Sequence, residues 1–549
     1  MSDSALVKLR RELGIEDELP DEDPSVALTI LITSAAREGN ARHTLEQLAQ
    51  AIQSSDLVSS LEPLTILPLL IPHPSDGADH LIRLICTECS AKEATMASQE
   101  IVERLELDQE PEEAADDELW LVRQIARILT IYSLAVPRLP RRKKSPVEQL
   151  RSLLSELQSV MSQTIRSASG ASGRMILDST HQLVDEITRW AKSDDKVDEI
   201  ERKSIVDVLI PFILSTMELC SNRTNGSLAR HAFESQYPRL VIPTQDEDTP
   251  EEEDFASMAA LGLTVQNCAS QPSLGSMILL AHFQSYKFDT PALISFFPVI
   301  LMSLQANTAL DEVLSVLINA VVPLVSQVPR PEFPPDLIVP LAHVLPPLAS
   351  VHPDPGIRHY TFRVLSAALA LAPSPVRVQL LQGLLTDDDS SPQMRVASVG
   401  LVKEALLEAL AAPPGSAEAQ RNVFASPAFL KAFGPIILRP DPPDLFAPGN
   451  TLELDEFLNT KEPLRLVECL SLYYVILMRD VRNRTGIRDK DNLRNATRTL
   501  VDPLKAQLSR WGYDSTASNG DGHDAGMQLA ILDMWLDRVS SSVEEIRQQ

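Results

Sequence analysis

Between residues 335 and 411 the chain runs through one pattern twice, and that pattern limits what the whole can fold into. Residues 336–350 have helical periodicity, His352-Pro353-Asp354-Pro355 turns the chain, and 357–372 is helical again. Ile357, Tyr360, Val364, Leu365, Ala368 and Leu371 step by three and four, so they share one face. The unit then recurs. Ser374 is placed as an N-cap with Pro375 at the first helical position, where a missing N–H costs nothing. Val376, Leu380, Leu381, Leu384 and Leu385 make the buried stripe, 387–392 the turn, and 393–410 the second helix. An arginine stands near the start of each second helix; these are Arg358 and Arg395, 37 residues apart. A helix pair with one apolar stripe cannot bury it alone, so pairs of this kind stack.

A period of about 40 residues, with an acidic turn and an early arginine, resembles the HEAT repeat, in which acid and arginine link neighbouring repeats. Helix-length apolar segments fill the rest of the chain, near 25–38, 43–55, 56–71, 78–88, 92–106, 118–135, 147–167, 174–192, 196–220, 256–269, 273–285, 290–304 and 308–327. No stretch shows the period-two alternation of a strand. The expected fold is all-α, a HEAT/armadillo-like α-solenoid of stacked helix pairs with acidic loop insertions. Its expected organisation is N-terminal helical repeats over 1–240, an acidic linker or loop at 241–255, and C-terminal HEAT-like repeats over 256–549. Residues 106–118 hold eight carboxylates and 244–254 seven, and both read as solvated loops. Residues 515–525 read as a Ser/Asn/Gly/Asp linker, and the Gly-rich 167–173 as a flexible inter-helix loop. The basic run 138–144 (RLPRRKK) reads as a solvated loop, with a nuclear-localisation signal as the rival reading.

Leucine and alanine carry an apolar content of 44%, while aromatics are only 5%, a balance that favours helix-on-helix packing. Lys+Arg 49 against Asp+Glu 76 leaves a net charge of −27, which repels phosphate backbones and argues against nucleic-acid binding. No apolar run is expected to reach the roughly 18 residues needed to span a bilayer, and the amino terminus carries no basic and apolar signal pattern. Five cysteines then read as reduced thiols. The expectation is a monomeric cytoplasmic protein that can shuttle to the nucleus, without a membrane or nucleic-acid partner.

Phosphate loops, the dinucleotide fingerprint, the nucleophile elbow and zinc-spaced histidines are all missing from the sequence. No catalytic, metal or cofactor residues are expected. Cys86-Thr87-Glu88-Cys89 has the spacing of a redox pair, so Cys86 and Cys89 are candidate redox thiols. In a helical segment, cysteines three apart also behave as small core residues.

Two stretches carry a family resemblance. In 84–105 (LICTECSAKEATMASQEIVERL) the run Cys89-Ser90-Ala91-Lys92-Glu93 opens a helix. In 469–511 (CLSLYYVILMRDVRNRTGIRDKDNLRNATRTLVDPLKAQLSRW) a helix ends in Leu477-Met478-Arg479-Asp480. Asn483-Arg484-Thr485-Gly486 follows, then a helix bearing Leu504 and Leu508. These residues are similar to the Yap-binding/glomulin family, which includes plant lateral-root-formation proteins. The resemblance implies, in its fungal form, an adaptor for a Yap-type bZIP transcription factor in the oxidative-stress response, with a kinetochore-associated relative. In its animal form it implies a solenoid that masks the RING subunit of cullin–RING ubiquitin ligases. Arg479, Asp480, Asn483, Arg484, Thr485 and Arg488 are the candidate partner-binding residues. The same residues also read as a turn: Gly486 in the left-handed conformation, Asn483 and Thr485 on backbone groups, Asp489 or Asp491 as a cap.

Overall fold

The computed structural model describes residues 2–14, 23–37, 42–107, 118–141, 145–165, 170–221, 227–240, 261–282, 288–387, 390–413, 422–447, 449–450, 452–511 and 523–548. Among these residues the regular elements are helices and none is a strand, as an all-α chain requires. The helices form two compact units, one comprising Met1–Leu228 and Ile242–Val313, the other Ala229–Val241 and Leu314–Gln549. The acidic stretch 244–254, all but the ends of 106–118, residues 142–144 and most of 515–525 lie outside the described residues.

In the first unit each helix packs on the next but one. The helices 2–13, 45–54, 77–88, 118–135 and 170–193 form one row; 24–37, 63–70, 91–107, 146–164 and 199–219 form the second. Two rows of packed helices are how stacked helix pairs bury their stripes in a solenoid. Two glycines permit the closest approaches. A Cβ on Gly77 would stand 2.5 Å from the backbone nitrogen of Glu46, and one on Gly275 would collide with the carbonyl oxygen of Leu214. Capping boxes open the 45–54 helix (Thr44 with Gln47) and the 146–164 helix (Ser145 with Glu148).

Three sequence expectations give way here. The Gly-rich segment is helical from Gly170, because Ser172 and Gly173 are buried and their small size outweighs poor propensity. The 56–71 segment is divided: a 3-10 turn at Val58–Ser60 precedes a helix that begins at Pro63. Leu119–Arg138 is long and apolar enough to cross a membrane, with a mean hydropathy of 1.4 and 67% of it buried within the unit. Arg123 and Arg127 interrupt its apolar run without lowering the mean enough to fail the test.

In the second unit the 335–351 helix pairs with 355–370, and 374–386 with 392–411, as the repeat predicts. The 462–479 helix is packed between 392–411 and 523–548. Leu466, Cys469, Leu470, Leu472, Tyr473, Ile476 and Leu477 on it are fully buried. Phe233, on the 228–236 helix, packs edge-on to His359 with ring centroids 5.0 Å apart and lies beside Tyr360.

Two details of the repeat differ from expectation. The buried stripe of the 374–386 helix is Arg377, Val378, Leu381, Leu384 and Leu385, with Val376 and Leu380 only half-buried. Arg377 is held in place by Glu408 at 3.1 Å and lies over the Phe424 ring. Ser374 does not cap its own helix. Its hydroxyl accepts from the Val423 amide at 2.7 Å and so ties down the next hairpin.

Candidate functional site

The family-like turn follows the buried 462–479 helix. Its centre is Asp480, 1% exposed, whose carboxylate accepts from the amides of Arg484 (2.8 Å) and Thr485 (2.8 Å) and from the Thr485 hydroxyl (2.7 Å). Asn483, at φ 55, accepts the Arg488 amide at 2.8 Å and donates to Asp489 at 2.7 Å. Gly486, at φ 80, supplies the second left-handed residue. Arg488 donates to the Leu477 carbonyl from Nη2 at 2.6 Å, and Arg484 to the Ala409 carbonyl at 3.3 Å. Asp489 stands at the N-cap of the 490–496 helix without a side-chain capping bond.

The six candidate partner-binding residues are therefore brought together, but with different tasks. Asp480 and Thr485 are enclosed and shape the loop. Asn483, Arg484 and Arg488 are half-buried and already bonded, and Arg479 is exposed beside Val481 (68% exposed) and Arg482. From 477 to 511 the chain carries nine Lys/Arg and four Asp/Glu, against the overall trend.

Cys86 lies in the 77–88 helix, while Cys89 is its C-cap in extended conformation, so the two are not on one helical face. Cys89 Sγ donates to the Val58 carbonyl at 3.1 Å. Burial pushes the Cys86 thiol up to about 12 and the Cys89 thiol up to about 11, with Arg138 opposing only in part. Both behave as core residues. Ser90 then starts the 91–107 helix, its hydroxyl accepting from the Glu93 amide at 3.4 Å.

A wider feature is the use made of arginine. Helices end with carbonyls that have no amide partner, and arginines from later elements satisfy them. Arg138 donates to the Cys89 carbonyl at 2.8 Å, Arg202 to Ala191 at 2.9 Å, and Arg330 to Val325 at 2.9 Å. Arg127, with its side chain 3% exposed, reaches the carbonyls of Leu70, Ile71, His73 and Ser75 while paired with Asp79. Arg465 takes those of Ile436 and Arg439 while paired with Glu462.

The two repeat arginines act mainly in this way. Arg358 binds the His352 and Pro353 carbonyls of its own turn (2.6 and 3.0 Å). Arg395 binds the Asp387 carbonyl (2.9 Å) and also reaches Asp441 in the following turn (3.3 Å). The inter-repeat ladder expected of both arginines is thus made by Arg395. In the basic run, Arg138 and Arg141 are likewise engaged, Arg141 with the Lys196 carbonyl and with Glu201. Only Arg358 and Arg395 stand out by repeat spacing; the others sit a short way from a helix end, a signal too common to single them out. These cations are committed to the scaffold.

Residues 244–542, more than half of the chain, match the family model described as "Uncharacterised protein family, YAP/Alf4/glomulin". Among curated proteins, none matches the chain.

Proposed function

We propose, from the premise that this chain belongs to the YAP/Alf4/glomulin family, that it is a non-catalytic scaffold which binds a basic protein partner. The partner in this reading is a Yap-type bZIP transcription factor of the oxidative-stress response, met in the cytoplasm or during shuttling to the nucleus. The observation that carries the reading is the commitment of arginines to main-chain carbonyls within a chain of net charge −27. A chain of this net charge attracts a helix rich in Lys and Arg, and such attraction is screened by salt. Calorimetric titration of the full-length protein with a bZIP basic-region peptide tests it. The expected result is binding that weakens steeply as ionic strength rises; affinity indifferent to salt sinks the electrostatic reading.

A second reading has one observation in its favour. The local excess of basic residues over 477–511, with Arg479 and Arg482 exposed, suits an acidic face instead. In that reading the C-terminal helices mask the RING subunit of a cullin ligase. The full-length protein then binds that subunit and suppresses ubiquitin transfer, and Arg479→Glu relieves the suppression.

A further inference from the structure

Three successive helices of one row in the first unit, 77–88, 118–135 and 170–193, border a polar groove of about 240 Å³. The first helix brings Asp79 and Arg83 to it, with Asp76 at its N-cap; the second brings Arg123 and Arg127, the third Gln182. Residues four apart share a face, which is why each helix delivers its polar side chains to the same side. The volume falls below the about 300–1,000 Å³ of clefts that enclose whole ligands. It takes one side chain or one small group.

The floor is already satisfied. Arg127, its side chain 3% exposed, holds Asp79 by two bonds of 2.7 and 2.9 Å, and its other N–H groups meet the carbonyls of Leu70, Ile71 and Ser75. Those two charges cancel. The rim is different. Arg83 makes one long bond of 3.4 Å to the Gln182 side-chain oxygen, and Arg123 spends one N–H on the Pro74 carbonyl. Among the described residues neither guanidinium has a carboxylate partner, and the Gln182 amide NH₂ has no acceptor. A guanidinium carries five N–H groups, so most of the donors on the rim are left to solvent or to a ligand. Asp76, exposed and without a side-chain capping bond, is the one carboxylate set against them. In a chain of net charge −27, two uncompensated cations against one acid reverse the sign locally.

We propose that this groove receives the phosphorylated serine or threonine side chain of a protein partner, with Arg83, Arg123 and the Gln182 amide donating to the phosphate. The donors come from three separate helices. A phosphate monoester has three acceptor oxygens and nearly two charges, and it can turn one oxygen to each helix. A carboxylate has two oxygens in one plane and a single charge. Two features favour a peptide as the carrier over free phosphate. Asp76 offers an acceptor for a main-chain N–H, which inorganic phosphate lacks. Trp120, one turn before Arg123, is 43% exposed, with its indole N–H fixed on the Pro72 carbonyl at 3.0 Å, so an apolar ring stands ready beside the cations. The Arg127–Asp79 pair keeps the floor rigid before anything binds, which spares the cost of ordering it.

The test uses the full-length protein and a peptide library with a fixed central phosphoserine and randomised flanks. The best binders are then measured by fluorescence anisotropy in phosphorylated, unphosphorylated and glutamate-substituted form. Wild type is compared with Arg83→Gln, Arg123→Gln and, as a control on an exposed arginine elsewhere in the same unit, Arg104→Gln. The expected result is binding that falls at least about tenfold without the phosphate, and by a similar factor in Arg83→Gln and Arg123→Gln but not in Arg104→Gln. Equal binding of the unphosphorylated or glutamate peptide overturns the proposal, as does an equal loss in the control or no binder at all. Inorganic phosphate held as tightly as the best peptide overturns the peptide carrier. Arg83 is exposed and bonded only to Gln182, so if Arg123→Gln fails to fold, Arg83→Gln decides alone. The basic-partner reading stands or falls separately, because this groove takes the opposite charge.

Discussion

At the scale of single residues, the turn at 480–488 is built from the inside. Asp480 satisfies three donors from a position sealed off from water. Asp480→Asn keeps the shape but presents an NH₂ group where an acceptor is required, and it removes the charge from the hydrogen bonds. The expected loss is about 1–3 kcal/mol of stability, read as a lower melting temperature and faster amide exchange at 484–488. Arg479→Ala, at an exposed position, leaves the melting temperature unchanged, which separates shaping the loop from meeting a partner. The thiols make a second prediction. Because burial raises Cys86 to about 12 and both Cys89 and Cys469 to about 11, the reactive thiolate is scarce in the folded protein. At about pH 8 it amounts to roughly one molecule in ten thousand for Cys86 and one in a thousand for the other two. Alkylation by iodoacetamide is therefore slow in the native state, rises with pH well beyond the ordinary thiol range, and becomes rapid on unfolding. Fast native labelling of Cys86 or Cys89 near neutral pH restores the redox reading.

At the scale of elements, small residues decide which helices can touch. Gly275 sits where the 274–282 helix meets Leu214 of the 199–219 helix, and a methyl group there collides with main chain, which cannot swing aside. Gly383 lies on a helix with open space above it. Gly→Ala in a helix otherwise stabilises by about 0.5–1 kcal/mol, so the two substitutions have opposite signs. Gly275→Ala lowers the melting temperature and Gly383→Ala raises it slightly or leaves it alone, measured side by side by circular dichroism. Equal behaviour of the two variants contradicts the packing described for the first unit.

For the whole molecule, the architecture was legible because each helix pair repeats the same local problem. Apolar spacing of three and four marks 118–135 as a helix to the residue, and the proline-bearing turns mark where pairs fold back. What stayed hidden depends on partners far away in sequence. Arg377 is buried because Glu408, 31 residues on, meets it, and nothing local to 374–386 says that Leu380 will stay half-buried. Ser374 has every attribute of an N-cap, yet a hydrogen bond to residue 423 claims its hydroxyl. The candidate site was legible as a place and not as a set of roles: the turn at 480–488 was located, while the division between its enclosed and exposed residues required the fold around it. The net charge followed from composition, but the inward commitment of the arginines did not.

That commitment bears on how such a chain can change over time. A guanidinium bonded to main-chain carbonyls senses the path of the backbone and is indifferent to which side chains decorate it. A turn such as 353–355 need not carry any particular residue to keep its arginine, provided it bends the same way. Substitutions there proceed without a matching change elsewhere, and sequences can drift far apart while arginine spacing and helix pattern persist. Kinship among proteins built this way survives in the rhythm of the chain longer than in its wording.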